Sequence, residues 1–357
     1  MKILIYDVHA SESGALAILD DLYKQVCSHS DKKIEWVFAV STPNYKETKN
    51  IRVIRHPWVK KNWFYRLYFD LITTRKILKK EKPNKIVSLQ NKGISFSNLP
   101  QMVYLHLPFV LCDYKFNIKR DGKVLWLYQN VLSKFIFKSL RKVQKTIVQT
   151  QWMKEALIKK AKVNEDKIEI IVPDISTNNI QKYKDSIENR KRFFYPATSF
   201  TYKNHFILLK AFKILQDKGY KDYELIFTIT ESENEYTLQL SEYVKKNSLN
   251  VKFNGPVKRE EVFEMYAKSV LIFPSFVESF GLPLLEARLS NAFVIANKTS
   301  FSQEILKNYE NAIFFNGNDA AELARGIEKL NLLPYINPKG AELKKESVNL
   351  IDLCISF

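Results

Sequence analysis

Cysteine is nearly absent from this chain of 357 residues: Cys27, Cys112 and Cys354 lie far apart and are odd in number. They fit neither a disulfide framework nor the clustered ligands of a zinc site, which points to a reducing, cytoplasmic setting. Nor does any run reach the ~18 apolar residues that a membrane span needs. The opening Lys2-Ile3-Leu4-Ile5-Tyr6 is too short for the core of a signal peptide and reads as a first strand. The histidines His9, His29, His56, His106 and His205 show no metal-ligand spacing. No zinc-finger, RRM or homeodomain pattern occurs, so a nucleic-acid partner is not expected. There is no internal repeat. Acid is also scarce in one half. Residues 1–185 carry 34 Lys and Arg against 17 Asp and Glu, whereas residues 186–357 carry 22 against 21.

What is present suits two domains of ordinary size. The composition, 46% hydrophobic and 13% aromatic, supports packed cores and not a disordered chain. The net charge of +18 falls almost wholly on the first half, which suggests a surface with a purpose there. It is densest from Arg52 to Lys85, where Trp58, Trp63, Phe64, Tyr65, Tyr68 and Phe69 interleave with the basic residues. Such a mixture fits contact with an anionic membrane surface, worth ~1 kcal/mol per basic residue. The plainer alternative is a solvated helix face above an aromatic core stripe.

Strand-like and helix-like segments alternate, which argues for parallel α/β sheets. In the first half, strands are expected at Lys2–Tyr6, Ile34–Val40, Arg52–Arg55, Lys85–Leu89, Gln101–Leu105, Lys145–Gln149 and Lys167–Val172. Helices are expected at Leu16–Val26, Trp63–Lys80 and Trp152–Lys160. In the second half, strands are expected at Phe193–Pro196, Glu224–Ile229, Val251–Phe253, Val270–Phe273, Phe293–Ala296 and Ala312–Phe315. Helices are expected there at His205–Asp217 and Ala320–Lys329. The polar stretch 178–192 reads as a linker between a first domain, 1–177, and a second, 193–335. A tail, 336–357, either crosses back to the first domain or frays.

The most informative stretch runs from Phe273 to Glu286. A buried strand ending at Phe273 is followed by Ser279-Phe280-Gly281-Leu282-Pro283, a tight turn entering a helix. Strand, glycine turn and helix start together offer backbone N–H groups to a phosphate. Pro283 fits the first helical turn, where a missing N–H costs nothing. Glu278 and Glu286 flank this turn eight positions apart. Carboxylates accept hydroxyl hydrogens well. Two acids beside an anion-binding helix start therefore suggest a sugar-nucleotide site. The competing reading is a pair of surface glutamates on one helix.

Written out, Pro274 to Ala287 is Pro-Ser-x-x-Glu-x-Phe-Gly-Leu-Pro-x-x-Glu-Ala. This resembles the signature of the GT4-type retaining glycosyltransferases, and the resemblance is strongest from Phe193 to Gly317. It implies the GT-B fold: two Rossmann-like domains facing a central cleft, with ligands at strand carboxyl ends. By the same resemblance, Glu278 contacts the donor sugar and is a candidate catalytic carboxylate, and Glu286 binds the ribose hydroxyls. Phe280, Gly281 and Leu282 bring backbone N–H groups to the diphosphate, with Gly281 allowing close approach. Lys203, within Tyr195-Pro-Ala-Thr-Ser-Phe-Thr-Tyr-Lys-Asn-His205, neutralises the departing diphosphate. Ser13 and Gly14 match the glycine-rich loop after the first strand, and Glu12 is a possible acceptor contact. His106 matches a cleft histidine, with a satisfied core histidine as the alternative. His9 also comes after the first strand and is a candidate lining residue, whereas His205 reads as a helix residue. Gly255 and Val257 lie where the family passes the nucleobase.

Three departures stand out. No arginine precedes Lys203 at Ala197-Thr198-Ser199. Asn291 and Phe293 replace the usual glycine and proline after the signature helix, which is expected to alter a turn. Thr230 stands where a glycine-rich loop is common. Asp-x-Asp, which holds the metal in the other large glycosyltransferase fold, is missing. A metal-independent hexosyltransferase (EC 2.4) without a cofactor is therefore expected. The partners implied are a nucleotide sugar, a lipid-linked or oligosaccharide acceptor, and the inner face of the cell membrane. The implied pathway is bacterial capsule or lipopolysaccharide synthesis. A GT-B-fold epimerase or phosphorylase, or a non-catalytic nucleotide-sugar-binding subunit, remains the alternative.

Overall fold

The computed structural model describes residues 1–10, 13–173, 180–337 and 349–357. The chain divides into two compact units. The first comprises Met1–Leu111, Leu127–Pro173 and Glu346–Phe357; the second comprises Cys112–Trp126 and Asp174–Lys345. No helix among the described residues is long and apolar enough to cross a membrane.

The first unit holds seven parallel strands: β1 (Lys2–Asp7), β2 (Glu35–Val40), β3 (Ile51–Arg55), β4 (Lys85–Ser88), β5 (Gln101–Tyr104), β6 (Lys145–Val148) and β7 (Ile168–Ile170). Their order in the sheet is β3-β2-β1-β4-β5-β6-β7. Because helices cover both faces, the strands are near-continuous apolar runs, as in Ile3-Leu4-Ile5 and Trp36-Val37-Phe38, all buried. The connecting helices include α1 (Ser13–Ser28), α2 (Trp63–Tyr68) and α3 (Thr74–Glu81). The single helix expected from Trp63 to Lys80 is instead interrupted by a π-turn at Phe69–Thr73. There Thr74 Oγ1 donates to the Phe69 carbonyl at 2.9 Å and meets the Tyr6 hydroxyl at 2.8 Å, so the wider turn is stitched to β1.

After β5 the chain leaves this unit. Residues 112–126, with α4 (Ile118–Asp121) and most of α5 (Lys123–Leu127), belong to the second unit. The chain returns through a second π-turn, Tyr128–Leu132, into α6 (Ser133–Leu140), and later forms α7 (Gln151–Ala156). The first domain therefore differs from the expected unbroken span 1–177. The reason lies in Asp121, whose side chain is fully covered: it accepts hydrogen bonds from Thr201 Oγ1 (2.7 Å), Tyr114 Oη (3.0 Å) and the Asn117 N–H (2.8 Å). Tyr114 also stacks on Phe276, with centroids 5.0 Å apart.

The second unit begins its described part at residue 180. The stretch expected as a linker is packed from there on. Tyr183 is buried against Phe293 and Tyr335, and its N–H reaches the Ser290 carbonyl at 2.7 Å. Ser186 then caps the short α8 (Ile187–Arg190). Six parallel strands come next: β8 (Arg192–Tyr195), β9 (Glu224–Phe227), β10 (Val251–Phe253), β11 (Val270–Phe273), β12 (Val294–Asn297) and β13 (Ala312–Phe315). Their order is β10-β9-β8-β11-β12-β13, the doubly wound arrangement that switches direction between its first and fourth strands. Helices α9 (His205–Asp217), α10 (Glu235–Asn247), α11 (Arg259–Ala267), α12 (Leu282–Leu289), α13 (Ser300–Ile305) and α14 (Ala320–Leu330) cover the sheet. Tyr195, Phe227 and Phe273 fill its centre and are fully buried.

The described end of the tail, α15 (Leu350–Ser356), joins the core of the first unit through Leu350, Ile351 and Cys354; 338–348 lies outside the described residues. Lys85 Nζ donates to the Ile355 carbonyl at 2.6 Å and lies over the Phe357 ring.

Candidate active site

In the second unit the switch point lies between β8 and β11, where open parallel sheets bind ligands. The loop after β8 carries Lys203; the loop after β11 carries Glu278 and Gly281. Their backbones are joined by a hydrogen bond from the Phe276 N–H to the Tyr202 carbonyl at 2.9 Å. The Tyr195 hydroxyl holds the Lys203 carbonyl at 2.7 Å. Asn204 turns the chain in the left-handed region, at φ 62°, and ties down Gly317 through its amide at 2.8 Å. Lys203 Nζ thereby meets Glu278 Oε1 at 2.6 Å, with both side chains about 15% exposed. The cation and one acid that the sequence singles out thus share one ion pair at the strand ends.

Gly281 caps α12 at φ 90°, a conformation in which a side chain is strained. A Cβ there would also stand 3.3 Å from Leu284 Cδ1. Pro283 is the second helical residue, where its missing N–H is one the helix would leave unpaired anyway. The Phe280 side chain is buried, so its contribution to a ligand is its backbone. Leu282 is half-buried at the helix start.

Glu286 is 4% exposed. Burial raises its carboxyl above the ordinary range. The Arg259 guanidinium and the Tyr266 hydroxyl oppose that, at 2.6 and 3.1 Å. Arg259 is not among the residues expected from the sequence. Its position at the start of α11, just after Gly255-Pro256-Val257, was the available signal. Gly255 adopts φ 71°, and its Cβ would meet Thr230 at 3.2 Å; Val257 beside it is half-buried. His205 is fully buried among Tyr195, Phe227 and Tyr236, and burial pushes its imidazole down to about 3, which fits a neutral packing residue.

At the Asn291 departure the helix closes on a left-handed residue. Asn291 takes φ 61°, the left-handed conformation that asparagine tolerates. The Asn291 N–H bonds the Arg288 carbonyl at 3.0 Å, and the Ala292 N–H bonds that of Ala287 at 2.9 Å. That is a Schellman closure of α12 without glycine. Phe293, in place of proline, is buried beneath Arg190.

The remaining candidates belong to the first unit. His106 is held by Asn91, whose Oδ1 accepts from the His106 N–H at 2.8 Å and the Leu107 N–H at 3.0 Å. Burial lowers its imidazole to about 4, so near neutral pH it is an uncharged hydrogen-bonding group and not an acid. His9 keeps solvent access; the protein mass around its ring and the cations Arg66 and Lys92 push its imidazole down. The Ser13 backbone opens α1, Gly14 is exposed with open space around it, and Glu12 lies outside the described residues. Asp7, unremarked in the sequence, ends β1 and accepts from the His9 and Ala10 N–H groups, both at 3.1 Å; burial raises its carboxyl to about 7.

Two parallel-sheet α/β units with these topologies constitute a GT-B-class fold. The sequence comparisons agree. The profile of the family described as Glycosyl transferases group 1 matches residues 176–346, and that of Glycosyltransferase Family 4 matches residues 34–178. The chain belongs to the GT4-type glycosyltransferases. The O-antigen chain mannosyltransferase RfbU of Salmonella typhimurium is 27% identical over 210 residues, 58% of this chain. The match spans 56% of that relative, little more than half its length. Among solved structures, Anabaena HepE in complex with UDP and glucose superposes with a TM-score of 0.65 at 17% identity, covering 92% of this chain and 89% of that one. WaaG, described as a glycosyltransferase involved in lipopolysaccharide biosynthesis, superposes with a TM-score of 0.64 at 12% identity, covering 93% and 92%.

Proposed function

We propose that this protein is a retaining, metal-independent glycosyltransferase of bacterial surface-polysaccharide assembly. It moves a sugar from a nucleotide-sugar donor, bound by the second unit, to a lipid-linked glycan acceptor, bound by the first. The observation that carries this reading is the Lys203–Glu278 pair at the switch point, beside the Gly281-capped start of α12. As the glycosidic C–O bond to the diphosphate breaks, negative charge grows on the leaving oxygen. The first N–H groups of α12 stabilise it, and Lys203 turns from Glu278 to join them. Glu278, released from part of its pairing as Lys203 turns to phosphate, holds the sugar hydroxyls. Glu286 takes the ribose hydroxyls. The acceptor hydroxyl attacks from the face the diphosphate vacates and passes its proton to the departing diphosphate oxygen, which retains the anomeric configuration. His106, being neutral, serves as a hydrogen-bond partner.

Peripheral attachment to the inner face of the cell membrane is part of the proposal. It is supported by α2, in which no residue is buried: Trp63 is 68% and Phe64 73% exposed. A core stripe would be covered, so that alternative does not describe α2.

The test is a thermal-shift screen against nucleoside diphosphates and their sugars, since a specific ligand raises stability by mass action. NMR of the product's anomeric proton, with a lipid-linked saccharide as acceptor, completes it. Stabilisation and a retained anomer are expected. No response to any nucleoside diphosphate would sink the reading, and sugar isomerisation without acceptor would replace it with an epimerase.

A further inference from the structure

The first unit has its own switch point, between β1 and β4, and a cavity of about 970 Å³ opens beside it. That volume is at the upper end for small-molecule sites. One end is polar and is built from the segments just past the two strands: His9 after β1, and Gln90, Asn91 and Lys92 after β4. Gln90 is 4% exposed. Its Oε1 accepts from Arg66, but its Nε2 has no partner. The one acid among the described lining residues, Asp70, is committed. Burial would raise its carboxyl, but Arg66 at 3.3 Å and Lys92 at 2.7 Å outweigh that and hold it below the ordinary range.

The walls are apolar. Trp63, Leu67 and Leu71 come from α2 and its π-turn; Leu132, Phe135 and Ile136 come from the second π-turn and α6. Lys138 and Lys142, both exposed, also line the cavity. π-turns recur at functional sites, and here both walls carry one. Trp63, Leu67, Leu71 and Phe135 are each at least 40% exposed, so the apolar wall continues outward onto the α2 surface.

Resting on the proposed function, we infer that this cavity takes the head-proximal hydrocarbon of a lipid-diphosphate-linked acceptor. The chain lies between α2 and α6. The diphosphate is met by Lys92, Lys138, Lys142 and the unpartnered Gln90 amide. The charge matches: Lys92 and Arg66 share Asp70, the one carboxylate among the described lining residues, and Lys138 and Lys142 add positive charge beyond that pairing. A free sugar would leave the apolar walls wet; a bare phosphate would leave them empty. The lipid therefore acts as a recognised part of the substrate and not only as a membrane anchor.

Farnesyl diphosphate is the probe, titrated calorimetrically into the full chain beside inorganic pyrophosphate. It should bind roughly tenfold or more tightly than pyrophosphate, because only it fills the walls. Leu67→Asp and Phe135→Asp, at exposed positions where folding is spared, should each weaken it by about tenfold. Lys138→Glu combined with Lys142→Glu should weaken it further. Nucleoside diphosphates should neither displace it nor respond to these changes. Equal affinity for pyrophosphate, displacement by a nucleoside diphosphate, or indifference to Leu67→Asp and Phe135→Asp would each overturn the inference. Nucleoside diphosphate binding without farnesyl diphosphate binding would leave the proposed function standing and the cavity assignment refuted. The reverse result would refute the function and keep the cavity.

Discussion

Strand for strand, the first six positions of the two sheets share one order, yet their switch points are furnished in opposite ways. In the second unit the loops are bonded to each other. They bring Lys203 to Glu278 and present the start of an eight-residue helix. In the first unit the loops open onto a broad amphipathic cavity whose walls stay exposed. Topology fixes where a ligand binds; the residues just past each strand decide which ligand it is. On the proposed reading, the second unit takes a compact, highly charged donor and the first a long acceptor with a greasy end.

The contrast is open to attack at several points. Glu278→Ala should lower sugar transfer by about 100-fold or more, since it removes a contact that matters most as charge develops. Steady-state turnover checks this, and near-normal turnover by the folded variant would remove the second switch point from the chemistry. Lys203→Ala should impair donor binding and turnover together, and the pair of changes should fall short of additive because the two side chains touch.

In the first unit, Trp63→Ser with Phe64→Ser should reduce binding to anionic vesicles about tenfold, with no change in melting temperature. Vesicle co-sedimentation at rising salt measures it. Gly281→Ala should cost about 1–2 kcal/mol at φ 90° and weaken nucleoside diphosphate binding, read by denaturation and calorimetry.

Arg259→Ala should act through pH. Glu286 holds its proton more tightly in the fold than in the open chain. Its stabilising contribution is therefore complete below the ordinary glutamate range and fades as pH rises through its raised value. Deleting the guanidinium raises that value further. The variant should lose little melting temperature near about pH 4 and progressively more toward about pH 8. The smallest effect belongs to Asn291: alanine there should cost about 1–2 kcal/mol and glycine about 1 kcal/mol less, because both lose the amide's hydrogen bond to Asn337 Oδ1 (3.1 Å) but only alanine is strained in the left-handed turn.

Much of this was legible in the chain itself. Val270-Leu271-Ile272-Phe273 is a four-residue apolar run ending in Pro274, and it is a buried parallel strand. The turn at Gly281 showed itself because glycine readily takes the left-handed conformation a sharp turn needs, and the proline two residues on suits a helix start. Other features were hidden for physical reasons. A π-turn adds one residue per turn and barely disturbs helical periodicity, so the break at Phe69–Thr73 left no mark. Tyr114, Phe116 and Asp121 look like ordinary loop residues, because the groups that bury them are far along the chain. The Arg259–Glu286 pair joins two helices, and a charge at a helix start reads as solvated until its partner is placed. Gln90, Asn91 and Lys92 were within reach, since polar residues directly after a buried strand at a switch point are natural ligand contacts.

The detour of residues 112–126 into the second unit has a consequence for how the molecule is made. During synthesis this segment leaves the ribosome well before its partners exist; Thr201, which binds Asp121, is 80 residues further on. Tyr114 and Phe116 must wait in water, or in the grip of a chaperone, until the later half arrives. A recombinant piece stopped at Pro173 would be left in that unfinished state, and no single cut yields two self-sufficient halves. Separate production of the second unit calls for grafting 112–126 onto it through a new connection.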